Sequence, residues 1–232
     1  MDYFTSDLHI GHDKDFIWGA RGFNSIEEHD SQILINWNLT VKPEDTVYIL
    51  GDLCMSENKE EWDRIYKNLN GHKNFIIGNH DTDNKMNKYF FDYNMTGLGL
   101  AAYYKYNKKK NFYLCHFPTF VNNYTNDKFF WCLAGHTHSK DPFEYGEHCV
   151  YNVAIDAHNC APVSIETIIK DIERYKFLNK ETQPEKHYWK IIVNGRYAKC
   201  SNCGKSFQDV YDFDNYDNYC SHCGAKMEGI KS

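Results

Sequence analysis

Five stretches of this sequence deliver an imidazole or a carboxylate at the end of an apolar run. Asp7 and His9 follow Tyr3-Phe4-Thr5, and Asp52 follows Thr46-Val47-Tyr48-Ile49-Leu50 and Gly51. Phe75-Ile76-Ile77 ends in Gly78-Asn79-His80-Asp81, residues 111–115 end at His116, and residues 129–134 end in Gly135-His136-Thr137-His138. Imidazole nitrogens and carboxylate oxygens suit divalent Mn, Fe, Zn or Ni, whereas calcium asks for a larger oxygen cage than these carboxylates make. The set supplies ligands for two ions. Two ions about 3.5–4 Å apart can activate a nucleophile and stabilise both the attacking and the leaving oxygen of a phosphoryl displacement. Phosphoester hydrolysis is the reaction these donors fit.

The apolar runs read as strands, and open α/β sheets bind ligands beyond the carboxyl ends of their strands. In extended backbone, positions i and i+2 share a face, so Asp7 and His9 are expected to grip one ion together, and His136 and His138 repeat the arrangement. Ser25-Ile26-Glu27-Glu28 has the spacing of a capping box, and Ile26, Ile33, Leu34 and Trp37 continue it as a helix. Trp62, Ile65, Tyr66 and Leu69 form a second helical stripe before the turn Asn70-Gly71 and a strand over 74–77. Strand, helix, strand builds parallel sheet. Residues 101–106 and 111–115 flank Asn107-Lys108-Lys109-Lys110 as a hairpin, with a solvated tip preferred over a nucleic-acid contact. A last strand is expected over 149–155. After Pro162, Ile165, Ile168, Ile169 and Ile172 mark a helix running to about Phe177. The stretch from Asp81 to the hairpin has no clear period.

The ordered set Asp7/His9, Asp52, Asn79/His80/Asp81, His116 and His136/His138 resembles the calcineurin-like metallophosphoesterases over about residues 1–165. The resemblance implies an α/β fold, a four-layer α/β/β/α sandwich with two sheets between helical layers. It places Asp7, His9 and His138 on one metal and Asn79, His116 and His136 on the other, with Asp52 bridging. His80 would be the general acid at the leaving oxygen, and Asp81 would orient it. Attack on phosphorus by a metal-bridging hydroxide, without a phospho-enzyme, is the implied mechanism. His12 is a candidate for substrate phosphate or for support of the ligands. Arg21 is a candidate phosphate clamp, with a solvated loop arginine as the alternative. His148 and His158 read as surface or structural residues.

The chain of 232 residues has room for a core domain and a small satellite. We expect a metallophosphoesterase domain at 1–178, a linker at 179–189 and a zinc-ribbon domain at 190–232. The last carries Cys200-Ser201-Asn202-Cys203 and Cys220-Ser221-His222-Cys223. Four thiolates at this spacing make a closed structural zinc site that could hold so small a unit together. Asp209, Asp212, Asp214 and Asp217 between the knuckles favour a protein contact over a nucleic-acid one. Nine cysteines without a charged-then-apolar leader point to a reducing, cytoplasmic setting. Cys54, just after Asp52, is the one expected to be open to oxidation, and Cys115, Cys132, Cys149 and Cys160 read as small buried hydrophobes. No apolar run is long enough to cross a bilayer, so no membrane partner is expected. A net charge of −6 argues against wholesale nucleic-acid binding. The expected substrate is a nucleotide or nucleic-acid-end phosphodiester. A phosphomonoesterase, a non-catalytic scaffold and an adaptor centred on the ribbon are the alternatives.

Overall fold

Short runs of alternating burial become two separate sheets, and these bring the strand-end residues to one edge. The computed structural model describes residues 1–56, 58–121, 129–182, 187–192, 197–201, 204, 206–208 and 227–231. The chain divides into two compact units, Met1–Glu173 and Arg174–Ser232. The first unit begins with β1 (Asp2–Thr5), α1 (Asp15–Trp18), α2 (Ile26–Thr40), β2 (Thr46–Leu50), α3 (Lys59–Tyr66) and β3 (His72–Ile76). It continues through α4 (Asp83–Asn87), β4 (Thr96–Gly99), β5 (Ala101–Lys105), β6 (Asn111–Cys115), β7 (Phe130–Ala134), β8 (Val150–Asn152) and β9 (Val163–Ser164). Then α5 (Ile165–Thr182) runs on past the unit boundary.

The first sheet has the order β4-β3-β2-β1-β9. Its strands β1 to β4 are parallel and β9 closes the edge antiparallel to β1. One face, with Val47, Ile49 and Phe75, packs on Ile33 and Trp37 of α2 and on Trp62, Ile65 and Tyr66 of α3. Trp37 and Trp62 are fully buried, and truncating either to alanine would cost about 3–5 kcal/mol. Helix α2 starts where its capping signal lies: the Glu28 amide donates to Ser25 Oγ. The reciprocal carboxylate reaches the amide of Asn24, one residue before the cap.

The second sheet has the order β5-β6-β7-β8, with the expected β5/β6 hairpin antiparallel and the other pairs parallel. Its inner face presents buried Phe112, Leu114, Trp131, Leu133 and Tyr151. Tyr104 of β5 joins the sheets: its ring meets Phe4 edge-on at 5.1 Å and its hydroxyl donates to Asp2 at 2.6 Å. The outer face, with Tyr113, Cys115, Cys132, Ala134 and Val150, is covered by Val121, Tyr145 and Cys149.

Some elements differ from expectation. The unassigned stretch holds α4 and one π-helical turn, Lys88–Asp92, that seats Tyr89 against Phe75 and Trp62. Strand β4 escaped notice because Thr96-Gly97-Leu98-Gly99 has two glycines where a strand pattern needs side chains. The strand expected over 149–155 shrinks to β8, since Cys149 has a left-handed backbone (φ 58) and Ala154 makes only an isolated bridge to Ser6.

The second unit contains a four-stranded sheet of β10 (His187–Ile192), β11 (Tyr197–Cys200), β12 (Ser206–Gln208) and β13 (Met227–Lys231), in the order β12-β11-β10-β13. Of the stretch expected as linker, residues 179–182 finish α5 and 187–189 open β10. Cys200 is buried in β11. Cys203, Cys220 and Cys223, with the four aspartates between the knuckles, lie outside the described residues. Among the described residues, no helix is long and apolar enough to cross a membrane.

Candidate metal centre

The loops after β1, β2, β3, β6 and β7 converge, and they carry every residue the sequence singles out as a ligand of the two catalytic ions. Extended geometry is not what pairs them. Asp7, His9, Asp52, His136 and His138 all have positive φ, between 50° and 74°, a left-handed conformation that costs a non-glycine residue about 1–3 kcal/mol. The expected i, i+2 pairing on a strand is therefore corrected to consecutive sharp turns beyond the strand. They are held by a backbone ladder in which the amides of Asp7, His9 and Ile10 donate to the carbonyls of Gly51, Asp52 and Leu53, each at 3.1 Å. Glycine makes the approach feasible. A Cβ on Gly78 would collide with the Asp52 carboxylate, and one on Gly135 with Asp7 and Ser6.

Asp52 lies between two clusters of donors. Its Oδ1 accepts the amide of His80 at 2.9 Å, which leaves Oδ2 facing His9 Nε2 at 3.7 Å and His116 Nε2 at 3.5 Å. On the first side, His9 Nε2 and His138 Nε2 stand 3.1 Å apart, and Asp7 Oδ1 lies 3.9 and 3.8 Å from them. Asp7 Oδ2 accepts the amide of His136, but Oδ1 is buried without a hydrogen-bond partner. On the second side, Asn79 Oδ1 lies 2.8 Å from His116 Nε2 and 3.0 Å from His136 Nδ1. His116 Nδ1 donates to the Leu50 carbonyl at 2.8 Å, which leaves Nε2 as the nitrogen turned to the centre, facing Asn79 Oδ1 and Asp52 Oδ2. Lone pairs converging on one point, with an orphaned buried carboxylate oxygen, are what a cation would satisfy. The groupings Asp7/His9/His138 and Asp7/Asp52/His116 could each hold one.

Burial and neighbouring charges set the protonation of these groups. Burial, reinforced by the positive neighbours His138 and Arg21, drives the His9 pKa down to about 2, so the ring is neutral and able to ligate. Burial raises the Asp7 carboxyl, against the pull of His116 and His138; a cation would restore its charge. For His138, burial is outweighed by the hydrogen bond to Asp156 and the charge of Asp7, and its pKa rises. Asp156 is also buried, yet its bonds with His138 and Arg21 win and hold its carboxyl far below the usual range.

Behind the first cluster runs a buried polar chain that the sequence reading missed. His138 Nδ1 donates to Asp156 at 3.1 Å, the carboxylate contact that orients metal-ligating histidines. Arg21 grips Asp156 with two parallel bonds of 2.9 and 2.8 Å and donates further to the Leu8 and Asp7 carbonyls and to His29 Nε2. His29 Nδ1 then donates to Asp30, whose other oxygen accepts the Gly11 amide. Two signals were present. His29 and Asp30 interrupt the apolar stripe of α2 at helical spacing from Ile26 and Ile33, and Asp156 follows an apolar run as the ligands do.

Arg21 as a phosphate clamp is thereby corrected. Its side chain is 2% exposed and its guanidinium N–H groups are engaged inside the protein, so it is neither a clamp nor a solvated loop residue. Asp81 is also assigned differently: it accepts the amides of Asp52 and Gly78 and the Tyr89 hydroxyl, which ties the two ligand loops together instead of steering the His80 ring. His80 is exposed over the site, its ring 5.5 Å from that of His9, and the amine of buried Lys85 donates to its carbonyl. His12 meets His9 Nδ1 at 3.3 Å and lines the cavity beside the centre. His158 donates to Asn152 within the core and His148 stacks on Phe120. Cys54 is not open to oxidation: it is fully buried, and burial pushes its thiol up to about 12.

Comparison with known proteins places this geometry in a class. The sequence matches the calcineurin-like phosphoesterase family over residues 3–225, and the chain belongs to that family. It is a metal-dependent phosphoester hydrolase. An uncharacterized protein of Methanocaldococcus jannaschii is 34% identical over 179 residues, covering 75% of this chain and 92% of its own length. The gene 66 protein of Mycobacterium phage D29 is 31% identical over 205 residues, covering 74% and 96%. A protein of unknown function from Aquifex aeolicus has a solved structure similar to this chain, with a TM-score of 0.55 and 27% identity, over 73% of this chain and 98% of that one.

Proposed function

We propose that the chain is a two-ion phosphodiesterase acting on a nucleotide or a nucleic-acid end. Asp7, His9 and His138 would hold one ion and Asn79, His116 and His136 the other, with Asp52 between the two groups; the donor set suits Mn, Fe, Zn or Ni. The observation that supports this best is the position of Asp52 Oδ2, facing a ligand nitrogen of each cluster. When bound, divalent ions supply an activated water nucleophile and charge neutralisation at phosphorus.

The protein's own groups do the rest. Asp52, fixed through Oδ1 by the His80 amide, sets the spacing of the two clusters. His80 donates a proton to the leaving oxygen, and the Lys85 contact on its carbonyl holds the loop that aims it. A diester is favoured over a monoester because the space beside the centre is walled by Phe16, Ile17, Ala20 and Met55, which suit a second ester group. In the second unit, Cys200, Cys203, Cys220 and Cys223 hold a structural zinc, with a protein or nucleic-acid contact as the unit's further role. Cytoplasmic location remains part of this reading.

The test is hydrolysis of bis(p-nitrophenyl) phosphate against p-nitrophenyl phosphate with added Mn. Wild type is expected to cleave the diester faster. Equal or greater monoester turnover would transfer the assignment to a phosphatase.

A further inference from the structure

Beside the first ion cluster lies a cavity of about 470 Å³, within the range of small-molecule sites. One wall is the centre itself, His9, His80 and His138, and the other is apolar, with Phe16, Ile17 and Met55. His80 lines it, so with His80 as the general acid the group that departs when the ester bond breaks would project into this space. The lining is mostly apolar, and the volume exceeds what a single phenyl ring fills.

Phe16 is the unusual member. It is 65% exposed on the short helix α1, whereas its neighbour Ile17 is 8% exposed and anchors the helix to the core. The Phe16 ring is held edge-on by His12 at 5.7 Å with an interplanar angle of 83°. The Lys140 amine ties the loop after His138 to the end of α1 through the Ala20 carbonyl, so the apolar wall is fixed relative to the centre. A fixed, exposed ring face beside a phosphate-directed site is what stacks a base, and every base offers a π-face to it.

We propose that this cavity is the leaving-group pocket and that it takes the base of a nucleotide, stacked on Phe16. This rests on the phosphodiesterase reading for the identity of the departing group, and it adds a specificity-determining residue outside the ion ligands.

The test measures binding and turnover separately on the full Mn-loaded chain. Calorimetric titration with AMP and with ribose 5-phosphate compares the same phosphate with and without a base. AMP is expected to bind wild type about tenfold more tightly, the effect of one stacked base. Phe16→Ala should remove that advantage and leave ribose 5-phosphate unchanged, while Phe16→Trp should keep it. Equal affinities in wild type, absence of binding by both, or an equal loss of both in Phe16→Ala would overturn the pocket. Turnover of bis(p-nitrophenyl) phosphate reports on the other reading. A silent wild type whose AMP binding depends on the base keeps the pocket and sinks the diesterase, and an active wild type indifferent to the base does the reverse.

Discussion

The two donor clusters that meet at Asp52 are built from the same kind of strand-end turn, yet they are braced differently. The first is buried at Asp7 and His9, 0% and 2% exposed, while His138, 33% exposed at the cavity, is oriented by a side-chain chain through Asp156, Arg21, His29 and Asp30. The second is open at Asn79 and His136, and its buried member His116 is held by the Leu50 carbonyl, with the Phe117 ring 5.0 Å away. Charged bracing inside a low-dielectric interior fixes a ligand firmly and excludes water. Backbone and aromatic bracing leaves the outer donors room to adjust. On the proposed assignment, the inner ion is the retained one and the outer ion exchanges.

The largest effect should come from the shared residue. Asp52→Asn is expected to lower kcat on bis(p-nitrophenyl) phosphate at least about 10³-fold, a barrier rise of about 4 kcal/mol, with the far-ultraviolet dichroism unchanged. Wild-type turnover in this variant would end the two-ion reading. Arg21→Met comes next, because it strips both guanidinium bonds from buried Asp156 and leaves it His138 alone; we expect a loss of about 3–5 kcal/mol in denaturant unfolding. A variant that kept its stability and showed only a raised KM would restore the phosphate clamp. Asp156→Asn nearly preserves shape but removes the countercharge of buried Arg21, so its unfolding is measured beside its metal affinity. Affinity for the more tightly held Mn should fall about 10–100-fold with the weaker site unaffected. Equal weakening of both sites would erase the contrast between them. The smallest effect is one of order: under graded chelation, one Mn should leave before the other, and Asn79→Ala should hasten only that first loss. Simultaneous release in wild type would show a single coupled site.

Much of this was legible in the sequence because each ligand is announced locally, by a polar residue after an apolar run. The hairpin, the capped start of α2 and the stripe of α3 were readable for the same reason. The brace was not, because Arg21 and Asp156 are separated by 135 positions and nothing beside either residue names the other. Nor was the turn geometry, since a spacing of two residues is compatible with a strand or with a left-handed bend. The glycines flanking the ligands, Gly51, Gly78 and Gly135, hinted at close backbone approach without saying what would be approached. Strand β4 and the π-helical turn depend on packing around Tyr89 that no local pattern encodes.

The left-handed backbone at five ligand positions also bears on descent. At about 1–3 kcal/mol each, the strain is comparable to the whole stability of an ordinary domain, about 5–15 kcal/mol. A lineage relieved of catalysis would gain by exchanging these residues for asparagine or glycine, which accept such turns more readily. An aspartate or histidine stands at all five strained positions, where glycine would be cheaper for the backbone, and this weighs against a fold kept only as a binding surface.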